Sequence, residues 1–355
     1  MAHIPTDVIS TILCWLPVDT LLRFRSVCKF WRGLIDDPHF INMHLNRFFL
    51  NGDSSLYSVY SDSPNAQIRN HVVDACVTEV NHPIKRDESS TLVMGNCNGL
   101  ILISNDVEDC GWWNPSTRKY RKLPNFKFMK PRGLIMGQYH AGLGYDQTTD
   151  DYKVARIMQA CNLKNQDAYA ETMAFSLKSG TWKRTKDFPF WMTQDAGGTY
   201  ALGALYWVAT DVASRVNFGV LEGFLCMSCN YILDRIDIWL LKKDHGETEC
   251  WTKLLSVAQT DVNWCMENVK AITRSSSGKQ ILLEKDHEQL MWYDLEKKLV
   301  TKTWMPHRPR TFNAILCSES LVQVNGGSCG DDGVGKNTGK ADSKQRQHKK
   351  RYSIN

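Results

Sequence analysis

The residues able to do chemistry are present but do not assemble into a site. Cys226-Met227-Ser228-Cys229 has the spacing of half a metal knuckle. A structural zinc site needs a second Cys/His pair, and none follows at suitable spacing. The pair sits in a β-prone run, so it reads as small, buried, apolar residues. The ten histidines form no HExxH or similar cluster, and His39 and His44 flank a helical stretch without a third ligand. No GxSxG, phosphate-cradling loop or dinucleotide fingerprint stands in its strand-to-helix setting. Gly142-Leu143-Gly144 leads into a turn and reads as a strand break. Asp150-Asp151 and Asp331-Asp332 are adjacent pairs whose side chains diverge, which suits solvated turns. No catalytic, cofactor-binding or metal-binding residue is assigned.

The twelve tryptophans are the remaining binding chemistry. Most recur at a spacing that suits core packing. Trp191 lies in Phe188-Pro189-Phe190-Trp191-Met192, an apolar stretch in a loop-like setting, where it serves either a bound partner or simple loop packing.

Composition sets the bounds. Apolar residues make up 43% and charged residues 23% of 355, the balance of an ordinary globular protein of two or three domains. No run of 18 apolar residues occurs, so no membrane span is expected. The first residues lack a basic, then apolar, pattern, so no export signal is expected either. Twelve scattered cysteines then read as reduced thiols, which places the chain in the cytoplasm and/or nucleus. The net charge of +5 is concentrated at the C-terminal end, where seven Lys/Arg face three Asp beyond Asn325. What precedes is near neutral, without the broad basic field that a nucleic-acid binder uses.

The elements change character along the chain. Residues 1–48 carry short helical stripes. Ile9, Ile12, Leu13 and Leu16 recur at i, i+3, i+4 and i+7, between Pro5 and Pro17. Val18–Phe24 forms a second segment, and Val27, Phe30, Trp31 and Leu34 repeat the stripe. Asp37-Pro38 reads as an N-cap followed by a first-turn proline, opening a fourth helix. So few residues cannot bury enough apolar surface to stand alone, so the surplus must meet the following domain or a partner. Residues 49–90 read as a connection. From 91 to 324 the texture is many short strands between Gly, Asn, Asp and Pro. A loose repeat of aromatic, polar turn, aromatic falls at Trp113–Tyr120, Phe175–Trp182, Trp239–Trp251 and Trp292–Leu299, which suits stacked blades of a propeller. Residues 325–355 have almost no apolar content and are expected to be a disordered basic tail. Its run Lys344–Arg351 fits a nuclear signal or a solubilising tail.

Ile4-Pro5-x-Asp7-Val8-Ile9-x-x-Ile12-Leu13-x-x-Leu16-Pro17-Val18, followed by Leu21-Leu22-Arg23-Phe24-Arg25-x-Val27-Cys28-Lys29-x-Trp31, closely resembles the F-box motif. With Gly95–Leu100, Trp113–Tyr120, Gly142–Asp146, Asp150–Val154 and Trp251–Lys253, the chain resembles plant F-box proteins that carry an F-box-associated, kelch-related domain. The resemblance covers roughly residues 4 to 316. It implies an α+β chain: a small all-α F-box, then an all-β kelch-like propeller. It implies a non-catalytic substrate adaptor of an SCF-type ubiquitin ligase, without cofactor. Its partners would be a Skp-type adaptor, a cullin scaffold through it, and a target protein of unidentified kind. Ile4, Pro5, Ile9, Leu16, Pro17, Leu21, Leu22, Val27 and Trp31 occupy the positions that pack in or against the adaptor. An F-box protein that sequesters partners outside the ligase is the alternative. One departure stands out: related chains usually have a further strand pair between Tyr206-Trp207 and Gly219–Gly223. Here the 208–218 region is short, and an incomplete blade is expected.

Overall fold

The structure, a computed structural model, describes residues 4–51, 54–60, 68–71, 77–80, 83–84, 91–105, 109–126, 128, 136–161, 168–192, 197–209, 215–231, 234–244, 248–258, 267–304 and 312–324. The tail beyond Val324, with its basic run, lies outside these residues.

Four helices open the chain: α1 (Thr6–Leu13), α2 (Val18–Phe24), α3 (Lys29–Ile35) and α4 (Pro38–Asn51). Proline sets the boundaries. Pro5 and Pro17 are the N-caps of α1 and α2, in the extended conformation, and α1 ends at Cys14 before Pro17 is reached. The expected cap of α4 is formed, since Asp37 Oδ1 accepts from the backbone N–H of His39 at 2.8 Å and of Phe40 at 3.2 Å. Leu13, Val18, Leu21, Ile35, Phe40, Ile41 and Leu45 are buried. Arg25 holds Asp36 by a two-pronged bond of 2.6 and 2.8 Å, tying the end of α2 to the end of α3. The buried His44 bonds the Leu16 carbonyl at 2.9 Å through Nε2, which fixes α4 against the α1–α2 corner.

All further elements are antiparallel strands. The first sheet holds β1 (Ser54–Tyr60), β2 (Ile68–His71) and β3 (Val77–Val80). The second holds β4 (Leu92–Cys97), β5 (Leu100–Ser104), β6 (Cys110–Asn114) and β7 (Lys119–Lys122). The third holds β8 (Met136–Asp146), β9 (Asp151–Cys161), β10 (Ala168–Ser176) and β11 (Thr181–Arg184). The fourth, among the described residues, has only β12 (Thr199–Ala201) and β13 (Ala204–Tyr206). The fifth holds β14 (Arg215–Leu221), β15 (Phe224–Tyr231), β16 (Arg235–Asp244) and β17 (Thr248–Ala258). The sixth holds β18 (Val269–Arg274), β19 (Gln280–Lys285), β20 (Gln289–Asp294) and β21 (Leu299–Trp304). A last strand, β22 (Phe312–Ser318), returns to pair with β1 from Ser54↔Ser318 to Tyr60↔Phe312 and makes the first sheet four-stranded. Strands β4, β8, β12, β14, β18 and β22 touch in that cyclic order. The sheets therefore close into a propeller, which removes open ends to the stack.

The aromatic repeat marks the outer hairpin of four sheets. Trp113 faces Tyr120 and Phe175 faces Trp182 directly. In the fifth sheet Trp239 instead faces Lys253 and Trp251 faces Leu241, and in the sixth Trp292 faces Lys302 across a register shift. Three expectations are corrected. The stretch 49–90 is not merely a connection, since it supplies β1–β3. Gly142-x-Gly144 does not break a strand, since β8 runs through it: a Cβ at Gly142 would lie 2.9 Å from the Trp207 ring, and one at Gly144 2.9 Å from the Tyr200 ring. The glycines admit the two-stranded sheet close to β8, where the Gly198 N–H donates to the Ala141 carbonyl at 2.8 Å. Nor are both members of Asp150-Asp151 solvated. Asp151 is buried and accepts from Ser176 Oγ and from the Lys178 N–H.

Two clasps hold the ring shut. Asn114, fully buried, donates through Nδ2 to the carbonyls of Ser320 (2.9 Å) and Val322 (3.0 Å), while its Oδ1 accepts from the N–H groups of Ser116 and Thr117. The Trp-Asn-Pro-Ser-Thr stretch is thus a lock for the segment after β22. On the other side, His287 Nδ1 lies 2.7 Å from the buried Glu284, whose second oxygen accepts from the Ala314 N–H of β22, and the His287 carbonyl accepts from the Phe312 N–H. The bond to Glu284 raises the His287 pKa, against desolvation and the nearby Lys270. Asn114→Ala removes the partner of two buried carbonyls and two half-buried N–H groups and should cost about 2–4 kcal/mol, read from urea unfolding. An unchanged midpoint would show that apolar contacts alone hold the segment. For His287, the raised folded-state pKa means stabilisation that is full below the unfolded value of about 6.5 and disappears as pH rises through the folded one. The melting-temperature gap between wild type and His287→Gln should therefore be widest near pH 6 and shrink toward about pH 8.

Candidate functional site

The helical domain presents apolar surface on two sides of one helix. Leu13 is buried against α2–α4, with Ile9 and Leu16 half-buried beside it. On the opposite side Ile4 (56% exposed), Val8, Ile12 (57%) and Trp15 (68%) recur at i, i+4, i+8 and i+11 along α1 and its flanks. Val27 (64%), between α2 and α3, and Phe30, in the first turn of α3, stand exposed. Thr6, Asp7, Ser10 and Thr11 form the polar remainder of α1, and the second apolar stripe has no cover from the other helices.

Of the positions implied by the motif, the structure leaves Ile4, Pro5, Pro17 and Val27 on the surface. Ile9, Leu16, Leu22 and Trp31 are half-buried, and the Trp31 ring sits 5.1 Å from Phe24. Leu21 is fully buried and holds the helices together. The exposed Val8, Ile12, Trp15 and Phe30 complete the face. Val8, Ile12, Trp15 and Phe30 were not among the adaptor-contact positions that the motif implied, although the second stripe on α1 was readable at four-residue spacing.

The propeller concentrates exposed aromatics beside its short sheet. The buried Gln159 of β9 donates through Nε2 to the Phe190 carbonyl (2.6 Å) and accepts through Oε1 from the Met192 N–H (3.0 Å). One amide thus pins the backbone on both sides of Trp191. Met192 is buried as an anchor, while Phe190 and Trp191 are 63% and 39% exposed. Phe188 meets Phe190 and Trp207 edge-on at 6.1 and 6.0 Å. On the fifth sheet Phe218 packs toward the short sheet and stacks at 6.4 Å on the partly exposed Trp251. Among the described residues, aromatic side chains thus flank the short sheet on both sides.

The cysteine pair is not a site. Cys226 is buried, its pKa pushed up to about 12 by desolvation, and Cys229 is half-buried on the alternate face of β15. Among the described residues no group of three His, Cys, Asp or Glu could hold a metal, and no helix is long and apolar enough to cross a membrane.

Helices with an exposed apolar face ahead of a β-propeller define a class, and the chain falls within it. Residues 1–42 match the F-box domain and residues 47–227 the F-box associated beta propeller domain. The chain belongs to the F-box proteins that carry this propeller. It is 31% identical to F-box protein CPR1 of Arabidopsis thaliana, over 91% of this chain and 89% of that protein. It is 30% identical to F-box protein At4g22390 of the same plant, over 91% and 90%, and 26% identical to F-box/kelch-repeat protein At3g23880, over 72% and 79%.

Leu21→Ala should destabilise the helical domain by about 2–5 kcal/mol, as for other fully buried leucines. Ile12→Ala should change stability by less than about 0.5 kcal/mol, since its side chain is already in water. Helical circular dichroism against temperature separates the two.

Proposed function

We propose that this protein is the target-recognition subunit of an SCF-type ubiquitin ligase. The face of Ile4, Val8, Ile12, Trp15, Val27 and Phe30 seats on a Skp-type adaptor, and through it on a cullin. The propeller holds a target protein, with Phe190, Trp191 and Trp251 beside the short sheet as its contact region. Bond formation then belongs to other subunits, and this chain contributes proximity by raising the effective concentration of the target's lysines near the charged conjugating enzyme. The observation that carries the reading is the doubly apolar α1, which the propeller leaves uncovered on one side. The cytoplasm and/or nucleus is the compartment this role requires.

Val27→Asp should fold normally, since the side chain is on the surface, yet lower adaptor binding at least tenfold by placing an unpaired charge in an apolar contact. Co-precipitation of the full chain with a Skp-type adaptor, alongside circular dichroism, tests this. Undiminished binding by a well-folded Val27→Asp protein would sink the assignment of the face. The half-life of a bound target then separates degradation from sequestration. It lengthens with Val27→Asp in the first case and is unchanged in the second.

A further inference from the structure

Arg156 of β9 is 1% exposed, one of the largest fully buried side chains in the protein. Its guanidinium lies 5.6 Å from the centre of the Tyr139 ring and 5.0 Å from that of Trp182. The rings attract the cation but accept none of the five N–H donors, which radiate in the guanidinium plane. Nε is buried without an acceptor. The polar side chain it meets on the second sheet is the Cys110 thiol, a weak acceptor that burial keeps protonated. Nearby carboxylates are engaged elsewhere: Asp109 with Lys122 at 3.0 Å, Asp187 with Arg184 at 2.9 Å, and Glu171 with the Tyr169 hydroxyl at 2.8 Å. Among the described residues, no carboxylate lies within ion-pair distance of Arg156.

The facing sheet repeats the deficit. Trp112 is two residues from Cys110 on β6, and Arg121 is its cross-strand partner, so all three share one face. Trp112 Nε1 and Arg121 Nη1 are also buried without an acceptor. Half-buried Phe126 and Phe128 rim the region, 5.8 Å from Trp182 and 6.3 Å from Tyr139. An uncompensated buried cation is among the costliest arrangements in a protein interior, and donors on both faces of this interface lack an acceptor among the described residues.

We propose that the interface between the second and third sheets is an oxyanion site centred on Arg156, which takes a carboxylate or phosphate group in the guanidinium plane. The two rings hold the guanidinium between the sheets, with its Nε donor available to a bidentate contact. The site stands independently of the ligase reading, because it concerns the interior of the propeller alone.

The test uses the full chain and thermal unfolding in sodium phosphate, and separately in sodium acetate, against sodium chloride at matched ionic strength. Wild type should show a melting temperature that rises and saturates with phosphate or acetate, and the more effective ion identifies the preferred group. Arg156→Met should melt at or above wild type in chloride and lose the saturating response. A response that rises without limit and is equal in Arg156→Met is general salting-out and overturns the proposal. So does a wild type indifferent to both anions. If Arg156→Met does not fold, Arg156→Lys retains the charge without the planar fork and should raise the half-saturating concentration at least tenfold. An equal half-saturation overturns the proposal.

Discussion

Everything in the propeller depends on one pairing between the two ends of its chain, β22 against β1. Each sheet buries its apolar faces only against its neighbours, so a ring with a gap leaves two faces in water. β22 closes that gap, and its hold is reinforced from both sides. Glu284 and His287 reach it from the sixth sheet, and Asn114 grips the segment that follows it from the second. These are polar contacts in a dry setting, where each bond is costly to lose.

The short fourth sheet shows how the ring tolerates an irregular member. β12 reaches β4, β8 and β14 together, and its closeness to β8 is possible only because Gly142 and Gly198 carry no side chain. Trp207 fills the space beside these glycines. Phe190, Trp191 and Trp251, around this short sheet, remain partly in water. Irregularity in the scaffold and exposed aromatic side chains therefore coincide.

Much of this was legible in the sequence, for reasons that differ by element. The helical domain was readable because proline and aspartate act locally: Pro5, Pro17 and Asp37-Pro38 set boundaries whatever surrounds them. The propeller was readable through its aromatic hairpins, whose partners are near in sequence. The role of 49–90 was hidden because β1 has its strongest partner at the far end of the chain, and no local pattern encodes that pairing. Gly142 and Gly144 were misread since a glycine's reason was a distant Trp207 and Tyr200. The exposed side of α1 was half seen: Ile12 was assigned to the wrong stripe, and Trp15 lay just past the helix end. Arg156 gave no signal at all, because an arginine within alternating strand residues is ordinary until its neighbours are known.

The pairing of Ser54 with Ser318 also orders events during synthesis. The four helices are complete by residue 51 and leave the ribosome first, but their apolar core is continuous with that of the propeller, which includes Met94, Leu102 and Leu321. The propeller cannot close until its final strand has left the ribosome, and that long-range loop closure makes it the slower step. A nascent chain thus exposes the apolar side of α1 before the propeller can close, during the interval when uncovered surface most readily aggregates.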